Sequence, residues 1–235
     1  QMCIRDSYHV GKHMKSGDRF YTKRDYTNAL IEYEAVVKLD AGNAKAHFML
    51  GKTLIAMSDY PEALKEFDLL IEMRPHNSDA HMMRGEALRL QGNHPLAFKS
   101  YKRAIKLDKR NALAHAYLGE CHRAKGWYRP AIFECHKALD LDPNLTAAHL
   151  VLAQSYSALD NHTSAFASYN KAIETAPSDP VAHARYARAL GDAERWEESV
   201  VEFSRSVLLD KNYAEGHMGK AWALVNLGKV SDGLK

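Results

Sequence analysis

Residues 44–77 read AKAHFMLGKTLIAMSDYPEALKEFDLLIEMRPHN, and the rest of the chain is this 34-residue sentence rewritten. Leu50 and Gly51 lie in a first apolar-periodic run, Asp59 and Tyr60 in a short break, Ala63 and Phe67 in a second run, and Pro75 at the exit. Apolar residues spaced three and four apart predict two amphipathic helices joined by a tight turn. Working outward, the period holds without insertion: units start at Val10, Ala44, Ser78, Ala112, Thr146, Pro180 and Ala214, the last one incomplete. Self-similarity at a fixed period of this length marks stacked helical repeats, each burying its apolar face against its neighbours.

The variation between units is as informative as the period. Position 8 is Gly17, Gly51, Gly85, Gly119, Ala153, Ala187 and Ala221, and position 20 is Ala29, Ala63, Ala97, Ala131, Ala165, Ser199 and Gly233. Small residues at both places predict a close crossing of the two helices. Position 24 fills the space beside them with Tyr33, Phe67, Tyr101, Cys135, Tyr169 and Phe203. Gly92, Gly126 and Gly228 mark where first helices end, and Pro61, Pro95 and Pro130 fall in the first turn of second helices, where a missing amide costs little. No run alternates with period two between hairpin signals, so no strand is expected.

Composition removes several function classes. The formal charge of +3 over 235 residues lacks the footprint of a general nucleic-acid binder. No apolar run reaches the roughly eighteen residues that would span a membrane. Cys3, Cys121 and Cys135 form neither a CxxC pair nor an even framework, which fits a reducing, cytoplasmic setting. Residues 1–7, QMCIRDS, read as the translation of a sequencing-library adapter and are set aside. The final unit stops three residues past Asp232, partway into its second helix, so the natural protein is expected to continue at both ends.

The pattern of Leu50-Gly51, Asp59-Tyr60, Ala63, Phe67 and Pro75 at this period resembles the tetratricopeptide repeat. The resemblance covers residues 8–235 and implies an all-α, right-handed solenoid of helix-turn-helix units. It implies a non-enzymatic scaffold or adaptor that binds a protein or peptide segment in a concave groove lined by the first helices, at positions 2, 5, 9, 12 and 13. Position 5 holds Met14, Phe48, Met82, Ala116, Leu150, Ala184 and Met218, an apolar row. Position 9 holds Asp18, Lys52, Glu86, Glu120, Gln154, Arg188 and Trp222, with Ile55, Arg89 and Arg123 at position 12. Such a mixed groove suits a helix or extended peptide with both apolar anchors and charges. Where chaperone-binding members carry a carboxylate clamp, this chain has Met14 and Asp18, Lys52, then Met82 and Glu86, so the clamp is absent. The asparagine ladder of the sugar-transferase subtype is also absent, its row reading Lys15, Met49, Met83, Tyr117, Val151, Arg185 and Gly219. The rival reading is the recruiting arm of a larger transferase, kinase or protease whose catalytic domain lies outside these residues.

Three further features invite chemistry. His13, His47, His81, His115, His149, His183 and His217 all fall at position 4. Ligands to one zinc sit about 2 Å from it, whereas neighbouring helices are roughly 8–10 Å apart, so the row reads as half-buried spacers with a wet polar tip. Glu120-Cys121-His122 and Glu134-Cys135-His136 repeat a triplet, but adjacent helical residues point about 100° apart, so the four ligand-type side chains read as packing, not metal binding. Residues 78–111 hold eight Lys or Arg against three Asp or Glu, with Lys99, Lys102, Arg103, Lys106, Lys109 and Arg110 on or after the second helix. This reads as a solvated face or as a salt-dependent docking surface for an acidic partner or membrane headgroups. No phosphate loop, HExxH, nucleophile elbow or isolated carboxylate pair is present, and no cofactor is expected.

Overall fold

The computed structural model describes residues 4–228. Among these residues there are thirteen helices and no strand: α1 (Ile4–Thr22) and α2 (Tyr26–Leu39), α3 (Ala44–Ala56) and α4 (Tyr60–Met73), α5 (Ser78–Leu90) and α6 (His94–Leu107), α7 (Ala112–Ala124) and α8 (Tyr128–Leu141), α9 (Thr146–Ser157) and α10 (His162–Thr175), α11 (Pro180–Asp192) and α12 (Trp196–Leu209), and α13 (Ala214–Asn226). The fold class is all-α, built from tandem helix-turn-helix pairs. Residues 4–7 form the start of α1, which begins ahead of Val10. Cys3 and the readings placed on Asp232 and Gly233 lie outside the described residues.

Most helix starts have a local cause. Asp25, Asp59, Asn93 and Asn161 precede second helices, and each accepts the N–H of the residue three further on. Asn43 and Asn77 do the same for α3 and α5, and Asn111 Oδ1 accepts from Ala114 N at 2.9 Å. These bonds satisfy amides that the helix leaves without partners. Trp127, Leu145, Arg195 and Tyr213 occupy the same places with no side-chain cap bond. The turn inside each pair is made by one left-handed residue at position 15. It is glycine in three units, Gly92, Gly126 and Gly228, and Arg24, Ser58, Asp160 and Glu194 in the others, at φ of 61°, 65°, 57° and 58°.

The small residues at position 8 serve the ring at position 24. A Cβ on Gly17, Gly51 or Gly85 would fall 2.6–2.7 Å from the rings of Tyr33, Phe67 or Tyr101, and one on Gly119 would fall 2.9 Å from Cys135 Sγ. Position 20 is fully buried from Ala29 to Ala165, and Ser199 donates its hydroxyl to Ala187 O at 2.7 Å.

The chain divides into two compact units, up to Ala114 and from His115. In the first unit, α1 to α6 pack in chain order and α3 also touches α5. Its core is built on Tyr33, Phe67, Leu70 and Tyr101. In the second unit, α8 to α13 pack in chain order, with α11 also touching α9 and α13. Its core is built on Cys135, Tyr169, Leu190 and Phe203.

Candidate functional site

The histidine row is more engaged than its sequence reading allowed. His47, His115, His149 and His183 are buried, His13 and His81 half-buried, and only His217 is exposed. Nδ1 of His13, His47, His115 and His183 meets a glutamate nineteen residues on, Glu32, Glu66, Glu134 or Glu202, at 2.6–2.7 Å. Nε2 of His47, His81, His149, His183 and His217 faces a carbonyl six residues back, in the turn between repeats, at 2.8–3.2 Å. The expected wet tip is therefore corrected: the tips are bonded to protein, four of them tying a first helix to its second, five tying one to the preceding turn, and His47 and His183 doing both. The signal was present in the sequence as His and Glu at positions 4 and 23 of the same units, with Ser100 and Ser168 replacing the acid in two of them. The His183 ring, in satisfying both acceptors, donates from both nitrogens and is positively charged. At His183 the Glu202 bond, with Pro177 O behind it, raises the pKa against burial. His81 lacks the acid, and burial lowers its pKa, with Arg103 and Arg84 adding to that direction.

The apolar row at position 5 turns inward over most of its length. Met14, Met82, Ala116, Leu150 and Ala184 are buried, Phe48 is half-buried with its ring 6.2 Å from that of Phe67, and Met218 is 67% exposed. The charged positions are largely paired with one another. Arg89 makes two bonds to Glu86 at 2.7 and 2.9 Å, and Arg123 two bonds to Glu120 at 2.7 Å. Lys52 lies over the rings of Tyr21 and Phe48 at 5.4 and 5.8 Å, with Ile55 half-buried on the same helix.

A cleft of about 480 Å³ opens on the first-helix face of the second unit. It is lined by Gln154 and Ser157 of α9, Arg185, Arg188 and Asp192 of α11, Glu215 of α13, and Tyr169 from α10 behind them. Arg188 stands over the Trp222 ring at 5.2 Å, and among the described residues neither Arg185 nor Arg188 forms an ion pair. Gln154 Oε1 is buried without a hydrogen-bond partner there. Burial pushes the Tyr169 hydroxyl up to about 12, so it stays a neutral phenol. Of the groove residues expected from the sequence, Gln154 and Arg188 reach this cleft; Arg185 also lines it from position 6, outside the positions 2, 5, 9, 12 and 13 that the family resemblance implies for the groove.

The two Glu-Cys-His triplets do not converge. Cys135 is fully buried against Gly119, and burial pushes its thiol up to about 12. His136 is exposed with Nε2 3.3 Å from Tyr156 Oη, and the His122 ring lies 5.7 Å from that of Trp127. Among the described residues no three His, Cys, Asp or Glu side chains gather as metal ligands, and no helix is long and apolar enough to cross a membrane.

Two tetratricopeptide repeat profiles match the sequence, one over residues 14–67 and 48–112 and the other over 146–179, together more than half of the chain. Among proteins of curated function, none matches. The chain is similar to a thermophilic tetratricopeptide protein of Thermus thermophilus, at 25% identity over 77% of this chain and 98% of that one, with a TM-score of 0.67. It is also similar to a chain of the APC/C hetero-tetramer Cut9–Hcn1, at 15% identity over 92% of this chain and 42% of that one, with a TM-score of 0.84. A third similar structure is YrrB, described as having an unusual peptide-binding site, at 22% identity over 72% and 88% of the two chains, with a TM-score of 0.52.

Proposed function

Because the chain belongs to the tetratricopeptide repeat family, whose members generally serve protein–protein interaction, we propose that it is a non-enzymatic scaffold holding a peptide or helical segment on its first-helix face. The observation that carries this reading is the cleft between α9, α11 and α13, where two guanidiniums stand without an ion-pair partner and a buried amide oxygen without a hydrogen bond. A desolvated polar group left unpaired is costly, and a bound chain offering N–H groups and carboxylates would satisfy both kinds. Asp192 and Glu215 on the same walls suit a segment of mixed charge. Within each unit the buried position 5 side chains serve as the floor of its first-helix face, and the same reading takes in Phe48, Lys52, Ile55, Glu86 and Arg89 in the first unit and Glu120 and Arg123 in the second.

The test is a displayed peptide library selected on the purified chain, followed by anisotropy titrations of the selected peptides. Reversing Arg185 and Arg188 to Glu should weaken them at least about tenfold, the scale of one lost charge-assisted contact. Helicity and melting temperature should stay unchanged. Full-strength binding to the reversed variant would show that this cleft is the wrong surface.

A further inference from the structure

Lys99, Lys102, Arg103 and Lys106 are all exposed on α6. At the helical angle per residue they fall within an arc of about 100° and over about 10 Å of axis, forming one stripe. Arg110, just past the helix end and also exposed, continues the row. The opposite side of α6 is the buried one, carrying Ala97, Ser100, Tyr101 and Ala104. Every other second helix from α2 to α12 contains at least one Asp or Glu, whereas α6 contains none.

These cations are not neutralised within the first unit. Among the described residues Lys99, Arg103, Lys106 and Arg110 make no ion pair, and Lys102 lies over the Phe98 ring at 5.6 Å. The acids of the flanking segments are engaged elsewhere. Asp68 accepts from Arg84 at 2.6 Å, Asp79 from Asn111 at 3.1 Å, and Asp108 from the Arg110 backbone at 2.8 Å. The lowered pKa of His81, to which the Arg103 charge adds, reports the same positive field.

We infer that this face of α6 docks an acidic protein segment, one that presents Asp or Glu three and four residues apart along a helix. Charge complementarity selects that occupant, because the cations recur at the same i, i+3 and i+4 intervals at which side chains of a helix share a face. Single-stranded nucleic acid would need exposed aromatic rings for base stacking, and Phe98, the aromatic side chain beside the stripe, sits beneath Lys102. A membrane-surface helix would need several apolar side chains to insert beside the cations, and Leu96, at 39% exposure, is the sole exposed large one on α6. The surface lies in a different unit from the cleft proposed above and does not depend on it.

The experiment titrates the full chain against a labelled alanine-based peptide helix carrying Glu at i, i+3, i+4 and i+7, and against its Gln counterpart. The Glu peptide should bind, weakening at least about tenfold between roughly 50 and 300 mM salt, and the Gln peptide should not. Lys99→Glu, Arg103→Glu and Lys106→Glu together should abolish binding with circular dichroism unchanged, whereas reversal of Arg185 and Arg188 should leave it intact. Neutralising Lys99→Gln and Lys106→Gln gives an intermediate loss and guards against misfolding of the triple variant. Equal binding of both peptides, full affinity in the triple variant, or displacement of the Glu peptide by phosphatidylserine vesicles or polyuridylate would each overturn the assignment.

Discussion

His183 and His81 occupy the same place in their repeats and have pKa values shifted in opposite directions, because one meets Glu202 and the other stands where Ser100 replaces the acid. The sign of the pH effect follows. A histidine pKa raised in the fold contributes stability that is fully present below its ordinary value of about 6.5 and is lost as pH rises through the folded value. Glu202→Gln should therefore cost about 2 kcal/mol near pH 6 and clearly less near pH 9, read from urea unfolding at the two pH values. A cost independent of pH would mean that the charge on His183 contributes nothing and that the loss lies in packing and in the bond Glu202 accepts from Arg205 at 2.8 Å. The second residue-scale prediction concerns Ser58, held at φ 65° where three other units use glycine. Ser58→Gly should stabilise by roughly 0.5–1 kcal/mol, since relief of the left-handed strain exceeds the added freedom of the unfolded chain. An unchanged or lower urea midpoint would show that the serine is not strained.

At the scale of the element, the helix starts are unequal. Asn161 accepts from Ser164 N and closes the start of α10, whereas Trp127 stands before α8 with no cap bond and with half its surface exposed. Asn161→Ala should lose about 1 kcal/mol and Trp127→Asp should gain a similar amount. The gain is tempered by the loss of the ring's contact with Lys125, 5.1 Å from its centroid. Both changes are read as shifts of the denaturant midpoint with the slope unchanged, and a destabilised Trp127→Asp would mean that the ring contacts outweigh the cap.

At the scale of the whole molecule, helices α1 to α6 of the first unit and α8 to α13 of the second pack chiefly on their neighbours in sequence, so stability within each unit is close to a sum of repeat and nearest-neighbour contributions. Deleting residues 44–77 joins Asn43 to Ser78 and offers α5 a cap of the same type as Asn77. The shortened chain should keep its ellipticity per residue and unfold cooperatively with a smaller denaturant slope, and loss of helicity would show that the repeats are not interchangeable. The sequence by itself determined the helices, their pairing and the buried rings at position 24, because these depend on local periodicity, capping and side-chain volume, which recur every 34 residues. It also exposed the charge of α6, since a run of cations without acids needs no coordinates to be seen. Only the tertiary structure decided which polar groups are free. It paired Glu86 with Arg89 and Glu120 with Arg123, and it turned Met14, Met82 and Leu150 inward. It bonded the histidine tips to Glu and to carbonyls, and left Arg185, Arg188 and Gln154 unmatched around one cleft. Those outcomes depend on distances of a few ångströms between residues from different helices, and a one-dimensional pattern does not carry them.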